Sequence, residues 1–238
     1  MKHHLAQFTK LYDFSKKLRS RYLNTLASYK TFERLQQLSA VNVVGKKKAN
    51  ANVQVLNSYK YFFLTSKEAI RCYLLIEMAK FFDLNLSGQS LTIHTALGCA
   101  EKNIKSYAPE VFNEFHKQKN RDVLEGYQPF SLTDLQRLKK RIKSNKARIE
   151  KLKTYRDKFL AHDDIKKIHI NITGNDVRIL MKIIKDSVEL LYNKLDYSGT
   201  IYQNYEEEPV NEVDRIFSSL HEHEKHRIAE INKKYGIK

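Results

Sequence analysis

Three features of the 238-residue sequence predict an all-α fold. Apolar residues recur at three- and four-residue steps along most of the chain, with almost no period-two alternation of the kind a half-buried strand shows. Only 7 glycines and 3 prolines interrupt it, which favours long helices over a loop-rich or sheet fold. The stretch from Ser131 to Asp164 holds one seven-residue apolar frame throughout, and 14 tyrosines with 12 phenylalanines are available to pack the helices.

From Leu11 the set Phe14, Leu18, Tyr22, Leu26 and Tyr29 predicts an amphipathic helix ending near Ser28 or Tyr29, followed by a short piece through Phe32, Leu35 and Leu38. Val43-Val44-Gly45 and then Lys46-Lys47-Lys48-Ala49-Asn50-Ala51-Asn52 break the pattern and read as a surface loop. Its three lysines are either a solvated charge run or a contact to a phosphate backbone. Asn52 is placed to cap a long helix carrying Val55, Leu56, Tyr59, Phe62, Phe63, Ile70, Leu74, Met78 and Phe81, ended by Asn85 and Ser87-Gly88. That aromatic-rich face is expected to be core. Arg71 and Glu77 interrupt it; partial exposure accounts for both, and Arg71 is also placed to line an anionic site. Ser90 or Thr92 begins a helix through Leu97, Ala100 and Ile104 that stops before Pro109. Pro109 to Phe115 starts another, and Gly126 with Pro129 marks a loop.

Thr133 followed by Gln136 is a capping-box pattern, so a helix is predicted to start at Asp134. Leu135, Ile142 and Ile149 recur every seven residues, with Leu138, Leu152 and Phe159 on the companion stripe. Two seam positions are not apolar, Asn145 and Arg156. A guanidinium where the pattern asks for Leu or Ile must meet an anion, a partner chain or a wet cleft, since burying it unpaired costs roughly several kcal/mol or more. Asp163-Asp164 reads as a helix end, because two acids in a last turn oppose the helix dipole. Ile165 to Ile172 is a connector, and Thr173 to Asp176 caps a final core helix with Leu180, Ile183, Ile184, Val188, Leu191 and Leu195. Tyr197 to Pro209, with Glu206-Glu207-Glu208, reads as a linker before a short stripe of Val213, Ile216, Phe217 and Leu220. The expected organisation is a helical domain over 1–200 and a linker with an amphipathic helix over 201–238.

Lys and Arg outnumber Asp and Glu by 43 to 27, giving a net charge of +16 that attracts polyanions without shaping a fold. Cys72 and Cys99 lack any C-x-x-C spacing and are expected to be buried free thiols. The first ten residues hold no apolar run of signal-peptide length, and the stretch from Cys72 to Ile76 is far short of a membrane span, so a cytoplasmic protein is expected. His221, His223 and His226 lack the i, i+4 pairing of helical zinc motifs and read as scattered surface histidines; no metal is expected. No Gly-rich phosphate loop or G-x-S-x-G elbow occurs, so no cofactor is expected and phosphoryl transfer from a nucleoside triphosphate is unsupported.

Six positions after Arg156 comes His162, with Asp157 directly after the Arg. The run Tyr155-Arg156-Asp157-Lys158-Phe159-Leu160-Ala161-His162-Asp163 resembles the Arg-x4-6-His motif of the HEPN superfamily, all-helical domains often found as RNases in prokaryotic defence. Its closing Ala161-His162-Asp163 is similar to the AbiU-like abortive-infection branch. Ala69-Ile70-Arg71 through Leu84, with the Glu77-Met78-Ala79-Lys80-Phe81-Phe82-Asp83 ending, is similar to the long helix that precedes the motif there, and the resemblance covers about residues 55 to 195. It implies a HEPN-like bundle with an appended C-terminal helix, a homodimer that brings two motifs into one cleft, and a site of Arg156, Asp157 and His162. Asn is common in the branch where this chain has Asp157.

The chemistry implied is RNA cleavage by the RNA's own 2′-hydroxyl, with a His as general acid or base and an Arg on the phosphate. Lys46, Lys47, Lys48, Lys158 and Arg71 are candidate RNA contacts. RNA, a second copy of the chain and a cognate antitoxin protein are the implied partners, and no membrane. On an unbroken α-helix Arg156 and His162 would stand roughly 9 Å apart along the axis and about 120° around it, so only the reach of the Arg or a helix break would let them share a phosphate. The alternative is a non-catalytic module that dimerises through the heptad seam and binds RNA or protein without turnover.

Overall fold

The structure is a computed structural model that describes residues 1–84, 91–121, 126–128, 130–160 and 171–236. Among these residues no strand occurs, as the apolar periodicity requires. In chain order the elements are α1 (Lys2–Gln37), α2 (Val41–Val44), α3 (Lys46–Ser58), α4 (Lys60–Phe81), α5 (Ile93–Lys102) and a 3₁₀ turn (Ile104–Tyr107). There follow α6 (Pro109–Lys117), α7 (Leu132–Ser144), α8 (Lys146–Tyr155), a π-helical turn (Arg156–Leu160), α9 (Gly174–Val188) and a second π-helical turn (Glu189–Asn193). The chain closes with α10 (Lys194–Asp196), α11 (Gln203–Glu206) and α12 (Glu208–Tyr235). Among the described residues no helix is long and apolar enough to cross a membrane.

The chain divides into two compact units, Met1–Thr25 with Leu75–Ile201, and Leu26–Leu74 with Tyr202–Lys238. In the first, Phe8 and Leu11 of α1, Met78 and Phe81 of α4, Phe112 of α6, Leu135 of α7 and Leu180 of α9 are buried together with the rest of the apolar stripes. A polar knot joins its elements. The carboxylate of Asp196 accepts hydrogen bonds from Tyr12 at 2.8 Å, Tyr192 at 3.0 Å, Ser198 at 2.6 Å and Arg121 at 2.7 Å. Burial opposes its ionisation, but the donors from Ser198, Arg121, Tyr12 and Tyr192 outweigh that and hold its pKa at about 2.

Several local expectations are corrected in this unit. Helix α7 starts at Leu132 rather than Asp134, because Ser131 is the residue that caps it. Its hydroxyl accepts from the Asp134 amide at 3.1 Å while the Asp134 carboxylate accepts from the Ser131 amide at 3.0 Å, a reciprocal box that the Thr133 and Gln136 pattern concealed. The seven-residue frame does bury Leu135, Leu138, Ile142, Ile149 and Leu152, yet it is not one helix. Asn145 leaves the helical region at φ −106° and ψ 16°, and its amide donates to the Arg141 carbonyl at 2.9 Å, the side-chain competition for backbone groups that makes Asn a helix terminator. The expected caps of α5 by Thr92 and of α9 by Thr173 with Asp176 are present. Both cysteines are free but half-buried rather than buried. The expected turns at Asn85, Ser87-Gly88 and Pro129, the Asp163-Asp164 helix end and most of the Ile165 to Ile172 connector lie outside the described residues.

The second unit packs Leu38, Val55, Phe63, Val213 and Phe217 into one cluster, with the Phe63 and Phe217 rings 5.0 Å apart. Arg34 of α1 grips Asp214 of α12 through both carboxylate oxygens at 2.7–2.9 Å. Here the break expected near Tyr29 is absent and α1 runs on to Gln37, since no glycine or proline stands there to stop it. The lysine run is no loop either. After Gly45, whose φ of 80° suits glycine alone among common residues, Lys46, Lys47 and Lys48 form the exposed first turn of α3. The burial of Ala49, Asn52 and Val55 at three-residue steps drives that helix. Asn52 is therefore not a cap. Fully buried inside α3, its amide donates to the Leu38 carbonyl at 2.7 Å and its oxygen meets His221 Nε2 at 3.0 Å. The long helix expected from Asn52 breaks at Tyr59, and Phe62 is exposed while Phe63 takes the core position. The stretch expected as a linker carries α11 and the start of α12, with Pro209 in the first turn where a missing N–H costs nothing.

Candidate functional site

Arg156 stands where the helix changes its own hydrogen bonding. α8 ends at Tyr155, and Arg156 opens a π-helical turn in which bonds span five residues instead of four. Within the described part of the motif the α-helix therefore gives way to a wider turn directly after Tyr155. The guanidinium is held from two sides: Nη1 donates to both oxygens of Asp83, at 2.9 and 2.8 Å, and Nε donates to Asp157 at 2.7 Å. Nη2, which carries two N–H donors, has no hydrogen-bond partner among the described residues.

The Arg156 side chain is 21% exposed, Asp83 33% and Asp157 58%, so this is a half-sheltered pair with one open flank. Burial works against the charge on Arg156, but the bonds to Asp157 and Asp83 outweigh it and raise its pKa above the ordinary arginine value. Such an arrangement can hold a planar cation in a fixed orientation and offer its free edge to an oxyanion.

Asp83 is a site residue that the sequence reading did not single out. Its signal was there: an acid just beyond the C-terminus of an apolar helix opposes the helix dipole, which marks a carboxylate in want of a cation. Which cation, 73 residues further on, no local rule states.

Arg156, Asp157 and Lys158 share the π-helical turn. His162 lies outside the described residues. Lys46, Lys47, Lys48 and Arg71 belong to the other unit, where Arg71 pairs with Glu68 of its own helix at 2.5 Å. The C-terminal histidines have packing partners: His221 binds Asn52, and His223 Nδ1 lies 3.1 Å from the Tyr59 hydroxyl. Among the described residues no group of three or more His, Cys, Asp or Glu could hold a metal ion.

A family model, HEPN_AbiU2, described as AbiU2, matches residues 8–216. The chain belongs to the AbiU2 family of HEPN proteins. As an AbiU2 member it is an abortive-infection protein of the HEPN type, and its all-helical fold is that of such a bundle. The AbiU2 match runs past the expected 55 to 195 at both ends, taking in most of α1 and the first turns of α12. No curated protein and no solved structure matches.

Proposed function

We propose that this AbiU2 protein is a metal-independent endoribonuclease of a prokaryotic defence or toxin-antitoxin system, with Arg156 and His162 as its catalytic residues. The observation that carries the reading is the state of Arg156: a cation at an apolar seam position, oriented by Asp83 and Asp157, whose Nη2 has no partner among the described residues. In the reaction the RNA 2′-oxygen bonds to the adjacent phosphorus and the bond from phosphorus to the 5′-oxygen breaks. One proton leaves the 2′-hydroxyl and one joins the departing 5′-oxygen, and the His162 imidazole serves one of these transfers. Arg156 stabilises the charge that grows on the phosphate oxygens. DNA lacks the attacking group, so RNA is the substrate. The protein acts as a cytoplasmic homodimer, and an antitoxin protein is its natural restraint.

A second reading, a non-catalytic RNA- or protein-binding module, is favoured by one observation: two carboxylates already satisfy two of the three guanidinium nitrogens of Arg156. Incubating wild type, His162→Ala and Arg156→Ala with total RNA in EDTA separates the two. Turnover is expected for wild type, ending in 2′,3′-cyclic phosphates, with losses of about 10²- to 10⁴-fold in either variant. If wild type cuts nothing, or His162→Ala cuts as well as wild type, the binding module takes its place.

A further inference from the structure

Beside Arg156, in the same unit, lies a cleft of about 300 Å³ between the end of α4, the start of α5, and α7 with α8. Its floor is apolar: Phe82, Ile142 and Ile149 are almost wholly buried there, and Leu84 stands 68% exposed beside them. Above the floor Lys139, Lys143, Lys146 and Lys153 come from one face of α7 and α8, at steps of four, three and seven residues. Like charges three and four residues apart repel, so helix stability does not account for the row.

Few acids offset this charge. Glu150 is the carboxylate within the cleft, 4.0 Å from Lys153, and Lys139 is drawn to Glu101 at 2.5 Å. Lys143 and Lys146 are exposed and have no carboxylate within ion-pair reach among the described residues. His94, the second residue of α5, forms part of the wall. Burial first, and then Lys153 and Lys139, push its pKa down, so it enters as a neutral ring with one donor and one acceptor, suited to a base edge or sugar hydroxyl.

We propose that this cleft is a nucleotide subsite of the RNA strand: a base lies against Leu84 and the accessible edges of Ile142 and Ile149, its phosphate on Lys143 and Lys146, and the neighbouring phosphate reaches Arg156. The connection is built into the chain. Asp83, the carboxylate that orients Arg156, sits between the cleft residues Phe82 and Leu84, and Lys153 precedes Arg156 by three residues, roughly 4.5 Å of helix rise. A volume near 300 Å³ is at the small end of ligand sites, room for one nucleotide and not for a dinucleotide cofactor. The subsite rests on the reading of Arg156 as the phosphate clamp.

The test compares wild type, Lys143→Glu/Lys146→Glu, Lys143→Arg/Lys146→Arg and a control with the exposed pair Lys16→Glu/Lys17→Glu. Each is titrated with a labelled oligoribonucleotide across a salt series, with AMP as competitor, and assayed for cleavage. The cleft reversal is expected to weaken RNA binding about tenfold or more and to flatten the slope of log K against log salt by roughly 0.7, the loss of one single-strand phosphate contact. KM should rise by a similar factor with kcat little changed, and the arginine pair should restore both. An unchanged slope and KM, an equal effect from the control pair, or AMP binding as tightly as the oligonucleotide would each overturn the subsite. RNA binding that depends on Lys143 and Lys146 in a protein that never cuts would uphold the subsite and remove the nuclease.

Discussion

Removing Asp83 tests whether Arg156 is held as described. Exposed ion pairs contribute about 0.2–1 kcal/mol, whereas breaking a buried pair costs about 3–5 kcal/mol. With the two side chains 21% and 33% exposed, the pair falls between, and Asp157 remains as a second partner for the stranded guanidinium. Asp83→Ala is therefore expected to cost about 1–2 kcal/mol, Arg156→Ala a similar amount, and the double variant about 1 kcal/mol less than their sum. Urea denaturation followed by circular dichroism on all four proteins measures this coupling. A coupling within about 0.3 kcal/mol of zero would refute the pairing and with it the orientation of Arg156. A functional consequence follows from charge. Asp83→Asn keeps the shape but removes an anion beside the phosphate position, so RNA should bind more tightly, by about tenfold at low salt and less at physiological salt.

Two further outcomes concern the framework. Asp196, 8% exposed, has a folded pKa of about 2 against an ordinary value of 3.8, so its contribution is fully present above that ordinary value and is lost as pH falls through 2. It amounts to roughly 2–3 kcal/mol, and Asp196→Asn should lower stability at pH 7 and flatten the acid limb between pH 4 and 2; parallel limbs for the two proteins would show the knot to be idle. Asn52→Ala strips the Leu38 carbonyl and His221 of their partner inside the second unit, at about 1–3 kcal/mol, and hydrogen exchange along α12 should quicken. Unchanged exchange there would mean that His221 does not anchor the helix.

What could be read in advance follows from range. Apolar period, N-caps and prolines act within a few residues, so the buried stripe from Leu135 to Leu152, the caps at Thr92 and Thr173 and the start of α6 at Pro109 were all legible. The lysine run misled because a local rule lost to a tertiary one: three positive charges disfavour a helix N-terminus, yet α3 gains more by burying Ala49, Asn52 and Val55. Phe62 misled for a geometric reason. Neighbouring residues on a helix point about 100° apart, so one of two adjacent phenylalanines must face away from a single core, and the break at Tyr59 decides that it is Phe62. At the site, Arg156 announced itself as a cation on an apolar stripe and Asp83 as an acid past a helix end, while the pairing of the two and the π-helical turn gave no sign. The pairing spans 73 residues and the turn has no residue signature.

Arg156 between two carboxylates carries a local balance of one negative charge, which by itself repels a phosphate. The cleft alongside has the opposite defect, a surplus of lysines with no oriented clamp and a single acid within it. On the proposed reading each corrects the other. Lysines capture the strand through a loose, salt-sensitive field, and Asp83 and Asp157 keep the guanidinium ordered until the phosphate is near enough to compete for its free edge. Such a division explains why an acid at position 157 need not abolish the site: it spends attraction, which the lysines supply, to gain orientation, which they cannot. It also predicts the order of damage, with loss of the cleft lysines raising KM and loss of Arg156 lowering kcat.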